Sequence, residues 1–201
     1  PDQGRKNLYT VLDEALTEGR IRCFDDDMFS KEIDWVAKKE SMGRKSTKTI
    51  YVEDIDGDRE VEFDTIEPMN PLDITQLEIK EDWFIDKNRS VEDVRIIGFV
   101  LYYYQPSIEE GGAPTRNKLG WIRYNDPEVR ELLANSEVYN MDNDRARRSY
   151  DDIFRKRLFS SYIIRESNDF NRNIEDYSSG IDAMMESQRI EDYLVEMEED
   201  M

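Results

Sequence analysis

The chain has 201 residues, 37% of them charged and 38% hydrophobic, with a formal net charge of -19 and no histidine. That length suits one domain, or one domain with an appendage, able to bury about 70% of its unfolded surface. The charge disfavours nucleic acid and anionic lipid as partners and favours basic proteins or cations. Lacking histidine, the chain has lost the commonest general base and transition-metal ligand, and a lone Cys23 removes internal disulfides and cysteine-rich zinc or iron–sulfur sites while leaving the compartment open.

In chain order, residues 7–18 place Leu8, Val11, Leu12, Ala15 and Leu16 on one helical stripe, and Gly19 is a natural stop. Residues 20–24 read as a short strand. Three aspartates, Asp25, Asp26 and Asp27, then lead into a second helix over 28–39, with Ile33 and Val36 facing inward and Trp35 a further candidate. Residues 38–48 hold five basic side chains against Glu40, a basic loop in an acidic protein. Two alternating runs at 49–55 and 59–66, separated by Asp56-Gly57-Asp58, predict a β-hairpin. The centre of the sheet falls at 76–104. Leu77, Ile79, Trp83 and Ile85 alternate with charged residues, as in a strand with one wet face. Residues 96–104 are apolar or aromatic except Gly98, as in an internal strand. Between the two strands, Ser90 with Asp93 three residues on suits a short helical turn.

Residues 105–118, with Pro106, Gly111, Gly112 and Pro114, read as an exposed loop, and 119–124 as a returning strand. Asp126-Pro127 caps a short helix running to Ala134. From Asp144 to about Ile163, Ala146, Tyr150, Ile153, Phe154, Leu158 and Tyr162 fall on one stripe, which predicts a long helix. A last helix runs from a Ser179 cap to about Glu199. The expected fold is α+β, a mostly antiparallel sheet covered by helices from both ends of the chain. The expected division is a domain at 1–178 and a C-terminal helix at 179–201.

Three runs carry a family resemblance: IKEDWFIDKNRSVEDVRIIG from Ile79, FRKRLFSSYIIRESN from Phe154 and DYSSGIDAMMESQRIE from Asp176. In this order, spanning 79–191, they resemble the GldN/PorN family, ring subunits of the type IX secretion and gliding-motility machinery. The resemblance implies a non-enzymatic, periplasmic scaffold protein. Such a protein would self-associate in a ring with a GldK/PorK-type outer-membrane lipoprotein and contact a GldM/PorM-type motor shaft. Family members carry a signal sequence and a further N-terminal segment. The start on Pro1, without an initiator methionine, fits a processed or trimmed chain. No apolar stretch approaches a membrane span.

Candidate chemistry from the residues alone is sparse. No Walker loop or dinucleotide fingerprint is present, and neither a catalytic residue, a cofactor nor a metal site is expected. Asp54, Asp56 and Asp58 fail the EF-hand spacing, because counting from Asp54 the glycine is fourth and the twelfth residue is Thr65; a hairpin turn is the simpler reading. Asp25, Asp26 and Asp27 read as a solvated helix entry. The rival functional class is a carboxylate-based hydrolase or a cation-dependent binding module.

For partner binding the candidates are Arg145, Arg148 and Arg155, which either form a solvated face paired with Asp151 and Asp152 or meet acid on a neighbouring subunit. The triplet Tyr102-Tyr103-Tyr104 fits a partner patch or a strand leaving the core. In the last helix, Ile181, Met184 and Met185 lie nearly opposite Ile190, Tyr193, Leu194 and Met197, and one straight helix cannot bury both stripes against a single surface. The expectation is a break near 187–189, or a second half laid into a groove elsewhere, with Ile190, Tyr193, Leu194 and Met197 as its contact.

Overall fold

In the computed structural model the described residues are 6–54, 57–67, 69–86, 91–105, 113–138, 147–167 and 172–199. The fold is α+β. Helix α1 (Leu8–Thr17) precedes two short strands, β1 (Cys23–Phe24) and β2 (Glu32–Ile33), and helix α2 (Trp35–Ser41). The hairpin follows as β3 (Arg44–Asp54) and β4 (Gly57–Glu67). Next come the long strands β5 (Ile74–Asp86) and β6 (Val91–Gln105), then β7 (Thr115–Arg123) and helix α3 (Pro127–Asn135). Short strands β8 (Glu137–Val138) and β9 (Arg148–Ser149), helix α4 (Tyr150–Arg155) and helix α5 (Ile181–Glu199) complete the order. One antiparallel sheet runs β2-β1-β7-β6-β5, while β3-β4 and β8-β9 stand as separate two-stranded sheets.

The chain divides into two compact units: Pro1–Glu81 with Ile96–Asp152, and Asp82–Arg95 with Ile153–Met201. The C-terminal helix therefore shares a unit with residues 153–180 and with the outer ends of β5 and β6.

The core of the first unit sits on β6 and β7. Phe99, Val100, Leu101 and Ile122 are fully buried, and the register pairs Phe99 with Ile122 and Val100 with Trp121. A slip between Leu101 and Tyr102 breaks that ladder, and the tyrosine triplet alternates, Tyr103 buried between half-buried Tyr102 and Tyr104. Gly120 is required where β1 pairs with β7: a Cβ there would run into Cys23 Sγ and lie 3.1 Å from the Phe24 carbonyl oxygen, closer than packed atoms tolerate. Helix α1 buries Val11, Leu12, Ala15 and Leu16 and packs against α2. Its Asp13 is also buried, accepting hydrogen bonds from Trp35 Nε1 (2.8 Å) and Lys39 Nζ (2.9 Å). A second buried acid, Asp151, accepts from Arg130 Nε (2.6 Å) and Nη2 (3.0 Å) and from the Tyr124 hydroxyl (3.1 Å). That bonding holds the Arg130 guanidinium above its ordinary pKa.

Several expectations need correction. The second helix starts at Trp35 rather than Met28, because Asp26 organises the residues before it. Its carboxylate accepts from the backbone of Met28, Ser30 and Lys31 and from the Ser30 hydroxyl. Phe29 is held there in the left-handed region (φ 57°), its ring edge-on to Phe24 and Trp121. Asp34 then caps α2 by accepting from the backbone of Val36 and Ala37, so Trp35 is buried and Val36 is exposed. The 49–66 hairpin forms, and its register sets Asp54 opposite Gly57, but it does not join the main sheet; Asp56 lies outside the described residues. The helical turn expected after Arg89 falls partly outside them too, and from Val91 the chain is strand. Trp83, expected in the core, keeps 37% of its surface exposed.

The long helix expected over 144–163 is six residues, α4. It starts late because Ser149 caps it, its hydroxyl accepting from the Asp152 backbone N–H (3.1 Å). It stops early in a Schellman turn: Leu158 N–H donates to the Ile153 carbonyl (2.9 Å) and Arg157 N–H to the Phe154 carbonyl (3.2 Å). Arg157 sits at the left-handed position (φ 49°). Its guanidinium stacks over Trp83 (5.5 Å) and Phe159 (5.4 Å), contacts that hold a non-glycine residue in that conformation.

Candidate interaction surface

The second unit leaves large apolar side chains exposed to solvent. Beyond α4 it runs without helix or strand through 158–167, with Leu158 and Tyr162 exposed. The stripe that suggested a helix had placed both inward. The backbone then meets α5: the Ile163 N–H donates to Ser187 Oγ (2.9 Å), and the Ile174 N–H donates to the Ile164 carbonyl (2.9 Å).

Helix α5 is unbroken over its 19 residues, so the expected break near 187–189 is absent. At 100° per residue, Ala183, Ser187, Ile190 and Leu194 share one face. Ser187 and Ile190 are buried, Ala183 and Leu194 half-buried. The opposite face carries Ile181, Met184, Met185 and Val195, exposed to 76%, 74%, 65% and 49%. Ile190 and Leu194 thus face the chain beside two small residues, while the outer face also carries large apolar side chains where an ordinary amphipathic surface helix carries polar ones. Of the two stripes, the structure buries Ile190 and half-buries Leu194 from one, with Tyr193 exposed at its edge, and leaves Ile181, Met184 and Met185 of the other outside. Gln188 and Asp192, hydrogen-bonded to each other at 2.9 Å, continue the outer face. On the flank, Arg189 chelates Glu186 with Nε (2.9 Å) and Nη2 (2.7 Å), which lowers the Glu186 pKa and raises that of Arg189.

The partner-binding candidates read from the sequence are dispersed. Arg145 lies outside the described residues. Arg148 is exposed on β9, paired with Val138, and Arg155 is exposed at the end of α4. Ile190 is 4% exposed and already covered by its own chain. Tyr193 is exposed and Leu194 half-buried, while the side chain of Met197 lies outside the described set. The sequence signal for the outer face was present, as the first of two opposed stripes; burial decides between them.

A cleft of about 190 Å³ in the first unit is lined by Gly19, Arg20, Ile21, Arg22, Asp126, Glu128 and Val129. Asp126 accepts a hydrogen bond from Arg22 there (3.2 Å) and lies 3.9 Å from Arg123, so of the two carboxylates lining the cleft, Asp126 and Glu128, Asp126 is already paired. Among the described residues no cluster of three acidic or cysteine side chains could hold a metal ion, and no helix is long and apolar enough to cross a membrane.

No curated protein matches the chain significantly. The family described as "Gliding motility associated protein GldN" matches residues 2–201, effectively end to end, and the chain belongs to that family.

Proposed function

We propose that the chain is a structural, non-enzymatic subunit of the type IX secretion and gliding-motility machinery. In this reading it lies in the periplasm, held beneath the outer membrane by a GldK/PorK-type lipoprotein, with which it builds a ring that contacts a GldM/PorM-type shaft. The observation that carries the reading is the family match over residues 2–201. The second unit supports it physically. A helix with four large apolar side chains turned outward leaves surface that a subunit of an assembly covers with its neighbours.

The test is co-expression with a GldK/PorK-type lipoprotein from the same genome and recovery of the pair on a tag carried by this chain. Stoichiometric recovery that survives washing in moderate salt is expected. Recovery of this chain alone, together with turnover of a glycoside by the purified protein, would contradict it and favour a carboxylate hydrolase.

A further inference from the structure

We infer that the outer face of α5 docks on residues 155–165 of a second copy of this chain, in a head-to-tail contact. The inference rests on the assembly reading above and names the surfaces for one of its contacts. Helix α5 carries seven acids against Arg189, a charge of -6, around Ile181, Met184, Met185 and Val195. Residues 155–165 carry Arg155, Lys156, Arg157 and Arg165 with no acid, a charge of +4. Leu158 and Tyr162 are exposed among them, Tyr162 to 70%. An apolar face rimmed by acid and an apolar strip rimmed by base therefore belong to the same unit of one chain.

Within a single copy they cannot satisfy each other through the outer face. Ser187, which receives the Ile163 N–H, is on the inner side of α5, and Met184 and Met185 are on the other. Pairing two copies through α5 alone would set like charges together, which is unfavourable. Made head to tail, the complementary contact is heterologous, so it propagates from copy to copy and closes into a ring where the rotation allows, whereas the same contact made reciprocally would stop at a two-fold dimer.

The test is sedimentation velocity on the full chain and two variants, one with Ile181→Lys and Met184→Lys, the other with Arg155→Glu and Lys156→Glu. All four positions are exposed, so thermal midpoints should match the wild type and exclude misfolding. The wild type should associate with rising concentration, more strongly at low salt. Each variant alone should weaken association at least tenfold. An equimolar mixture of the two should form a 1:1 pair that grows no further, because each variant keeps one intact surface. A wild type that stays monomeric at every concentration, variants that associate as the wild type does, or a mixture that does not pair would each overturn the inference. Capture of the lipoprotein is followed in the same samples. Capture without self-association would leave the proposed function standing and remove this contact, whereas lost capture with intact head-to-tail pairing would count against the function alone.

Discussion

The first unit keeps its large apolar residues inside. Phe99, Val100, Leu101, Leu12 and Ile122 have no exposed surface, and all but three of the buried apolar side chains among the described residues belong to it. The second unit has only Phe154, Ile174 and Ile190 at comparable depth, and it holds ten of the thirteen strongly exposed large apolar side chains. One unit is thus stabilised by its own core, and the other leaves a surface that solvent covers poorly. The difference follows from local structure. Strands β6 and β7 bury side chains between hydrogen-bonded neighbours, whereas 158–167 has neither helix nor strand and α5 carries apolar side chains on both faces, only one of which is covered.

Substitutions should divide by unit. The largest loss is expected for Phe99→Ala, about 3–5 kcal/mol, because the ring is fully buried against Tyr124 at 5.3 Å between centroids; urea unfolding would measure it. Asp13→Ala should cost about 1–3 kcal/mol by leaving the Trp35 N–H and the Lys39 ammonium without their acceptor. In the second unit, Trp83→Ala should cost only about 1–2 kcal/mol, since the ring is partly exposed and its stacking with Arg157 is an exposed cation–π contact. A loss as large as that of Phe99→Ala would erase the distinction.

Cys23 tests the first unit without substitution. Burial pushes its thiol up to about 12 from an ordinary 9.0. The raised value makes the contribution of this group to stability complete below pH 9 and lost progressively as pH rises towards 12. At pH 8 a thiol reagent should therefore label Cys23 only after unfolding. Rapid labelling of the native chain would show that the β1–β7 packing opens. The smallest effect belongs to the outer face of α5: Met184→Ser with Met185→Ser should change the unfolding free energy by less than about 0.5 kcal/mol while weakening association.

What could be read from the sequence depended on whether a local rule had its usual residue. Helix α1 ends in a Schellman turn, with Gly19 at φ 69° and its N–H donating to the Leu16 carbonyl, while Arg20 donates to Ala15. That stop was legible because glycine marks it. Helix α4 ends in the same turn with Arg157 in the glycine position, and there the apolar stripe suggested helix continuing to Ile163. The central strands were legible because alternation at 77–85 and the apolar run at 96–104 need no tertiary information. The capping of α2 by Asp34 was hidden behind the Asp26 loop, which depends on four hydrogen bonds to one carboxylate. For the interaction surface, periodicity gave α5 two opposed stripes and could not say which is covered. That answer came from Ser187 bonding the Ile163 backbone, a contact between residues 24 apart.

The central claim is that the second unit carries the contact surface, and methionine oxidation tests it directly. Met28 in the first unit and Met184 and Met185 in the second are exposed to 73%, 74% and 65%, while Met69 is 4% exposed. Dilute, unassembled chain should oxidise at Met28, Met184 and Met185 and spare Met69. In the assembled form, Met184 and Met185 should become protected while Met28 stays reactive. Protection of Met28 with Met184 and Met185 oxidised as fast as before would place the contact on the first unit and contradict the account.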